Sequence, residues 1–411
     1  MIDYLSKVPV KKHVYKIDDY RTCDYALGMI LSKTSVNGRY DRKSAGYTLN
    51  KTEKAIYYIA DNFYTYTADG NLNVYNGKTS SVLCSMGATT PVAVKVKVQG
   101  QEKALFIGEK SYLIDGTATP VNNLPATETA IQHNGRLFMA TNNVINFSSP
   151  FDFDNCSVIF DQYGFIEVEK DAGDIVGFLS RNDLLYVFCQ RAIYALETCI
   201  ETLDFKLKRL KYDNLNIAQN SVAVENGFAV FVNDKSVCLF DGSTIKKLSV
   251  YFDNTVQSVL GKASLYNGIY SVPAKLRQTQ HMYVLSINDG RECAFDYINL
   301  PLLSGPYHSY GAYVYTLYEN PAFYGGFSYL LENLDFSDVD YKILNEISIT
   351  VGCACTISIS GDFGYKTFSL KAGLNKIKTN LPSKKFRLEI TGAGSNFNIK
   401  GLTLTYSKRG E

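Results

Sequence analysis

Val222-Ala-Val-Glu-Asn-Gly227-Phe-Ala-Val-Phe-Val232 is the stretch that decides the fold. Two apolar runs flank an Asn-Gly pair, and Asn-Gly suits the positive φ angles of a type I′ hairpin turn. The signal returns at Ile131-Gln-His-Asn-Gly135-Arg-Leu-Phe-Met-Ala140, at Val176-Gly-Phe-Leu-Ser-Arg-Asn-Asp183-Leu-Leu-Tyr-Val-Phe188 and at Ala263-Ser-Leu-Tyr-Asn-Gly268-Ile-Tyr-Ser-Val272. Weaker copies turn at Asn62, Gly100 and Gly311, so the seven turns lie 35 to 48 residues apart. Several units end alike, at Val74-Tyr-Asn-Gly77, Leu113-Ile-Asp-Gly116, Leu239-Phe-Asp-Gly242 and Ile287-Asn-Asp-Gly290. A beat of roughly 40 to 45 residues with three or four strands per beat is that of a β-propeller blade. A sandwich or a β-solenoid is the competing all-β reading. Six blades match the clear copies, and strands from both chain ends can complete a seventh.

The rhythm changes after Asn333. Ile347–Val351, Thr356–Ser360, Thr367–Leu370, Lys376–Lys378, Phe386–Ile390, Phe397–Ile399 and Leu402–Tyr406 alternate apolar and polar residues with period two. That pattern predicts a half-solvated antiparallel sheet, here a small β-sandwich. The expected division is an N-terminal arm over 1–45, a propeller over 46–334 and a sandwich over 335–411. Within the arm, Asp19 to Leu31 reads as one helix with Asp18 or Asp19 as its cap.

Composition agrees with an all-β protein. Of 411 residues, 46% are hydrophobic and 20% charged, and the 31 Tyr and 23 Phe favour the pleated surface of a sheet over a helix. Forty-two Lys and Arg against 40 Asp and Glu leave a net charge of +2, too little for a global field that recruits polyanions. The first residues carry no apolar core before a small-residue cleavage site, which predicts synthesis in a cytoplasm. Nine cysteines without regular spacing point to reduced, buried thiols.

No catalytic, cofactor-binding or metal-ligating set is expected. Cys353 and Cys355 lack a second pair for tetrahedral zinc, and His13, His133, His281 and His308 lie in separate segments. His133, beside the Asn134-Gly135 turn, reads as a solvated turn residue. Asp152, Asp154, Asp183 and Glu197 sit in or next to predicted turns, where carboxylates are mostly solvated. Asp152-Phe-Asp154-Asn-Cys156 starts like a calcium loop but lacks its later Gly and closing Glu. Ser360-Gly-Asp362-Phe-Gly364-Tyr-Lys-Thr367-Phe faintly resembles the Asp-box of sialidases and reads as a hairpin turn. Lys95, Lys97, Lys103 and Lys110, and Lys206, Lys208, Arg209 and Lys211, form two basic groups. A solvated, aggregation-resistant strand edge is the plain reading of them, and contact with DNA phosphates the sharper one.

Three stretches resemble one family. Ile17-Asp-Asp-Tyr-Arg-Thr-Cys-Asp-Tyr-Ala26, continued through Gly38-Arg39 to Gly46-Tyr47, is similar to the opening segment of the β-propeller structural proteins of tailed-phage virions. Gly135-Arg-Leu-Phe-Met-Ala-Thr-Asn-Asn-Val-Ile-Asn-Phe-Ser-Ser-Pro-Phe-Asp-Phe153 is similar to one of their blades, which ends in an aromatic-Ser-x-Pro loop. Lys400-Gly-Leu-Thr-Leu-Thr-Tyr406 resembles the last strand of their appended sandwich. The chain has no Trp, which such loops often carry. The resemblance implies a non-enzymatic virion protein of the tail nozzle, hub or genome-stabilisation type, forming a ring around a DNA channel. The partners it implies are other copies of the chain, neighbouring tail or portal-adaptor proteins and double-stranded DNA passing without sequence specificity, and no membrane. A glycan-binding or glycan-cleaving propeller at a host surface and a cytoplasmic protein-interaction propeller are the alternatives.

Overall fold

A computed structural model describes residues 12–408 except 18–19, 21–24, 28, 34, 38, 50–51, 77–78, 154–157, 160–161, 251–255, 277–278, 296, 298, 321–325, 337–339 and 395–396. The described residues fold as two compact units. One holds 42–288 and 297–317, the other 1–41, 289–296 and 318–411.

The larger unit is a seven-bladed β-propeller. Its sheets are antiparallel, and in the first six the strands run outward in chain order from an inner strand. The inner strands are Glu53–Ile59, Val92–Val98, Thr129–His133, Ile175–Arg181, Ala223–Glu225, Ser264–Tyr266 and Leu303–Ser304. Each touches the next, and the seventh touches the first, which closes the ring. Blade 7 takes its outermost strand, Arg39–Thr48, from the start of the chain, laid beside Tyr313–Asn320. The seventh blade thus needs the N-terminal end of the chain and not the C-terminal one.

The apolar runs of the sequence are the second strands of the blades. A strand covered on both faces cannot alternate apolar and polar residues, so it reads as a continuous apolar run. Alternation survives instead as a choice of seam. Leu137 and Met139 pack toward blade 2, whereas Phe138 and Ala140 pack toward blade 4. Ala104 and Phe106 likewise face blade 1, and Leu105 and Ile107 face blade 3. Each blade is thereby wedged between two neighbours by side chains of period two.

The hairpin turns next to the inner strands are where the spacing placed them for six blades. Gln99-Gly100, Asn134-Gly135, Asn226-Gly227 and Asn267-Gly268 have positive φ at both residues, as a type I′ turn demands, and so do Ala60-Asp61. The seventh differs. The inner turn of blade 7 is at Gly305, between Leu303–Ser304 and Tyr307–Tyr310, and Gly311 belongs to the next turn outward. Gly305 has φ +54°, and a Cβ there would come within 2.7 Å of the Tyr58 ring of blade 1.

The second unit is a two-sheet sandwich. One sheet contains Ile30–Leu31, Val36–Asn37, Ile399–Lys408, Lys342–Val351 and Gly373–Ser383, with Lys12–Lys16 paired to Ile399–Lys408. The other runs Tyr25–Leu27, Gly326–Leu334, Phe386–Ala393, Cys355–Gly361 and Gly364–Leu370. Alternate residues such as Ile347, Ile349, Ile357, Ile359, Leu388 and Ile390 fill its core. Three expectations change here. The stretch from Asp19 to Leu31 is no helix: Tyr25–Leu27 pairs with Ser328–Leu330 and Ile30 with Asn37, so long-range ladders override local propensity. Asp18 and Asp19 lie outside the described residues. Residues of the expected arm contribute strands to both units, and the contact boundary falls at 317/318 rather than at 334/335, because Gly326–Leu334 pairs with Phe386–Ala393. Finally, the two expected strands at Phe397 and Leu402 are parts of the one strand Ile399–Lys408 and its approach. Tyr20 pins this arrangement, its hydroxyl accepting the Leu402 N–H at 2.8 Å while Tyr329 donates to its carbonyl at 3.3 Å.

An aromatic cluster holds the seam where the ring closes. Tyr47, on the outer strand of blade 7, stacks on Phe63 of blade 1 at 4.3 Å and meets Tyr75 and Tyr307 edge-on at 5.3 and 5.7 Å. Such pairs add to the burial of their own area. Tyr47→Ala is therefore expected to lower the unfolding free energy by about 2–4 kcal/mol in an equilibrium urea titration; a loss under about 1 kcal/mol would mean that the closing strand is held by its backbone ladder alone.

Blade 7 also buries His308. Burial pushes its pKa down to about 3, the Arg42 guanidinium adds to the shift and the Tyr315 backbone opposes it. The folded protein keeps this ring neutral while the unfolded chain takes up a proton near the usual 6.5, so its contribution is complete above that pH and drains away as pH falls toward 3. Between pH 7 and 5 the residue should cost about 2 kcal/mol of stability. His308→Phe should lose that much less than the parent over the same interval, and equal losses in the two proteins would refute the assignment.

Candidate functional site

The inner turns of the propeller gather at one end of the inner strands, and the last side chains of four of these strands cross the seams there. His133 ends the inner strand of blade 3 and its Nδ1 lies 2.8 Å from the Ser180 hydroxyl of blade 4. Arg181 ends that of blade 4 and donates to the Gly227 carbonyl of blade 5 at 2.9 Å. Glu225 ends that of blade 5 and accepts the backbone N–H groups of Asn267 and Gly268 in blade 6 at 2.7 and 2.9 Å. Ser304 ends that of blade 7 and accepts the Tyr58 N–H of blade 1 at 2.7 Å. In all four cases the last residue of the strand reaches forward to the next blade. Between blades 2 and 3 the side-chain amide of Gln132 does the same work, accepting the Lys97 N–H at 2.6 Å and donating to the Lys97 carbonyl at 3.2 Å, as a neighbouring strand would.

Over blades 2 to 4 this face opens into a cleft of about 620 Å³. Gln132 and His133 lie toward its floor, Lys97, Gln99 and Asn182 stand exposed around it, and Phe151 forms one rim. The volume falls in the ordinary range for ligand pockets. His133 is only 3% exposed, and burial lowers its pKa against the opposing pull of the Asp183 backbone and carboxylate, so the ring is neutral at neutral pH. Asn134 is held by a 2.9 Å bond from its Nδ2 to Thr198 Oγ1.

Phe151 is the unusual member. Its backbone has φ +59°, the left-handed region that bulky residues avoid, and its ring stays 70% exposed. Its N–H donates to the Gly135 carbonyl at 2.7 Å, and a Cβ on Gly135 would lie 2.7 Å from the ring. Only glycine at 135 leaves room for it. Nearby, Arg136 is fully buried and spends its guanidinium on the carbonyls of Ser148, Cys199 and Ile200, fixing the loop that carries Phe151 to one in blade 4.

The residues weighed in the sequence mostly fall apart. His133 is not solvated: it is a buried seam residue. His281 lies buried in blade 6 beside Thr279 Oγ1 at 2.6 Å, and His13 stacks on Tyr406 at 5.3 Å in the sandwich. Among the described residues no three His, Cys, Asp or Glu side chains gather as a metal site. Cys353 and Cys355 are free, with the Cys355 thiol pushed up to about 11 by burial. Asp183 sits in the inner turn of blade 4, Glu197 ends the third strand of that blade and Asp152 is bridged to Ser149, while Asp154 and Cys156 lie outside the described residues. Gly361 to Gly364 is a hairpin tip, with Asp362 accepting the Lys384 N–H at 2.9 Å. Lys95 and Lys97 share an exposed face as read. Lys95 pairs with Glu102 at 2.9 Å, Lys103 with Asp115 at 2.5 Å, and Arg209 with Glu169 and Asp171 at 2.6 and 2.7 Å. Phe151, Gln132, Arg181 and Glu225 were not singled out by the sequence reading. The available signal was a charged or imidazole residue just before three of the phased turns, His133, Arg181 and Glu225, and an aromatic within the Ser149-Pro150 loop.

No helix among the described residues is long and apolar enough to cross a membrane. No protein-family profile matches the chain, and no curated protein does. Among solved structures it is similar to the Pan2 WD40 domain of Neurospora crassa, at 10% identity and a TM-score of 0.43 over 64% of this chain and 88% of that one. It is also similar to a chain of the mitotic checkpoint complex, at 10% identity and 0.43 over 69% and 95%. A third likeness is to the extracellular domain of a putative hybrid two-component system of B. thetaiotaomicron, at 11% identity and 0.44 over 82% and 47%. The chain is an all-β propeller with an added sandwich.

Proposed function

We propose that this chain is a structural component of a phage virion, a tail or head-to-tail ring protein of the nozzle or hub type that forms or extends a channel for DNA. The observation that carries the reading is the way the chain is stitched. Arg39–Thr48 completes blade 7 and Lys12–Lys16 and Tyr25–Leu27 complete the sandwich, so each unit is closed by a segment distant in sequence. Fraying from a single edge cannot open either, which suits a part that bears load without a cofactor. The charge pattern supports the same reading. Three cations of the two basic groups are matched by carboxylates, Lys95 and Lys103 on adjoining strands and Arg209 on the turn at Glu169–Asp171, leaving less for a polyanion to grip and more freedom for DNA to slide.

Two measurements test it. The purified chain should form closed rings of several copies in negative-stain images and in mass photometry, and should be recovered in particles; a monomer at every concentration that is absent from particles rules the role out. A double-stranded DNA fragment should bind the rings no tighter than the non-specific range, about 10⁻⁴ to 10⁻⁶ M at physiological salt. Nanomolar affinity would contradict a channel that lets DNA pass.

A further inference from the structure

We infer that the cleft over blades 2 to 4 is a binding site for a neutral saccharide, with the Phe151 ring as the platform on which a pyranose stacks. The inference stands apart from the virion role and would hold for any propeller carrying this cleft.

Three features carry it. The first is that Phe151 is exposed at a structural cost. A bulky residue in the left-handed region is strained, and an aromatic ring left mostly in water gains little from folding to offset it. Glycine at 135, the 2.7 Å bond to its carbonyl and the buried Arg136 together hold the ring at the rim, so the display is built into the loop. The second is the chemistry of the walls. Gln99, Asn182 and Ser180 offer amides and a hydroxyl, groups that donate and accept side by side as adjacent sugar hydroxyls require, while the C–H face of a pyranose matches the apolar face of the phenyl ring.

The third is charge. Of the described residues lining the cleft, Lys97 alone is charged. Phosphate-bearing ligands call for several cations along a groove, and single-stranded nucleic acid for a series of stacking rings as well. The lining offers one cation and one aromatic ring. Asp183, whose carboxylate acts on His133, is not among the described lining residues, and none of those is acidic. An uncharged, hydroxyl-rich ring is what remains, and the open form of the cleft lets a longer chain run past the binding point. An open site with one platform implies affinity in the range of about 0.1 to 10 mM.

The test uses the full chain and two variants. Phe151→Gly removes the platform while relieving the backbone, so its melting temperature should match or exceed that of the parent. Phe165→Ala removes an exposed aromatic elsewhere on blade 3 and serves as the control. Saturation-transfer NMR against maltotriose, cellotriose, chitotriose and a β-galactan trisaccharide, each to ~10 mM, should show binding of at least one, with ring C–H protons nearest the protein. Phe151→Gly should weaken that ligand at least tenfold, and Phe165→Ala should leave it unchanged. No binding by any of the four, equal binding by Phe151→Gly, or stronger Phe151-dependent binding of an oligothymidylate than of any of the sugars would each overturn the inference.

Discussion

Neighbouring inner strands of a propeller diverge, so they cannot satisfy one another with a backbone ladder. Every seam must be sealed by side chains, and the rest of the structure depends on how that is done. Here the apolar part of each seam is filled by period-two packing from second strands such as Leu137–Ala140 and Leu185–Cys189. The polar part is handled at the turns by His133, Arg181, Glu225 and Ser304, each reaching forward by one blade. A neutral bond of this kind adds roughly 0.5–1.5 kcal/mol and one to a charged group roughly 1.5–3. Those are small beside the buried aromatic and aliphatic surface, so the apolar wedges supply most of the cohesion and the polar reach sets the register between blades.

That division explains what could be read in advance. Turns such as Asn226-Gly227 and Asn267-Gly268 are legible because a type I′ geometry admits few residue pairs, and the apolar second strands are legible because double-sided burial excludes polar residues. The seam residues are hidden for the opposite reason. A histidine, an arginine, a glutamate and a serine solve the same geometric problem, so no repeat of residue type marks them, and His133 read alone looks solvated. Blade 7 was misplaced because Ser304-Gly305-Pro306 makes its turn without Asn. A chain-end strand for blade 7 is foreseeable in outline, but the bounds of Arg39–Thr48 and the pairing of Tyr25–Leu27 are not, because their partners lie some 270 and 300 residues away, beyond any local pattern. Phe151 could be seen as an aromatic near Pro150, but its strained backbone and open ring belong to tertiary structure.

The charged residues follow a plainer logic. Lys95, Lys103 and Arg209 find carboxylates within salt-bridge distance at the exposed surface, where such pairs are individually weak. Their larger effect is on strand edges, since a lysine-rich outer strand such as Lys206–Arg209 discourages a foreign strand from adding on. Of the eight residues that hint at phosphate binding in a linear reading, Lys95, Lys103 and Arg209 are in three dimensions paired with nearby carboxylates.

The borrowed strand of blade 7 also sets a schedule for biosynthesis. Lys43 leaves the ribosome 273 residues ahead of Thr316, beside which it must lie. At usual elongation rates of about 5–20 residues per second that interval is on the order of 15 to 55 s. Throughout that wait, the early segment has no home of its own. On a crowded messenger a completed sibling's blade 7 is an eligible substitute, and an exchanged pair of chains is the characteristic mistake this architecture invites.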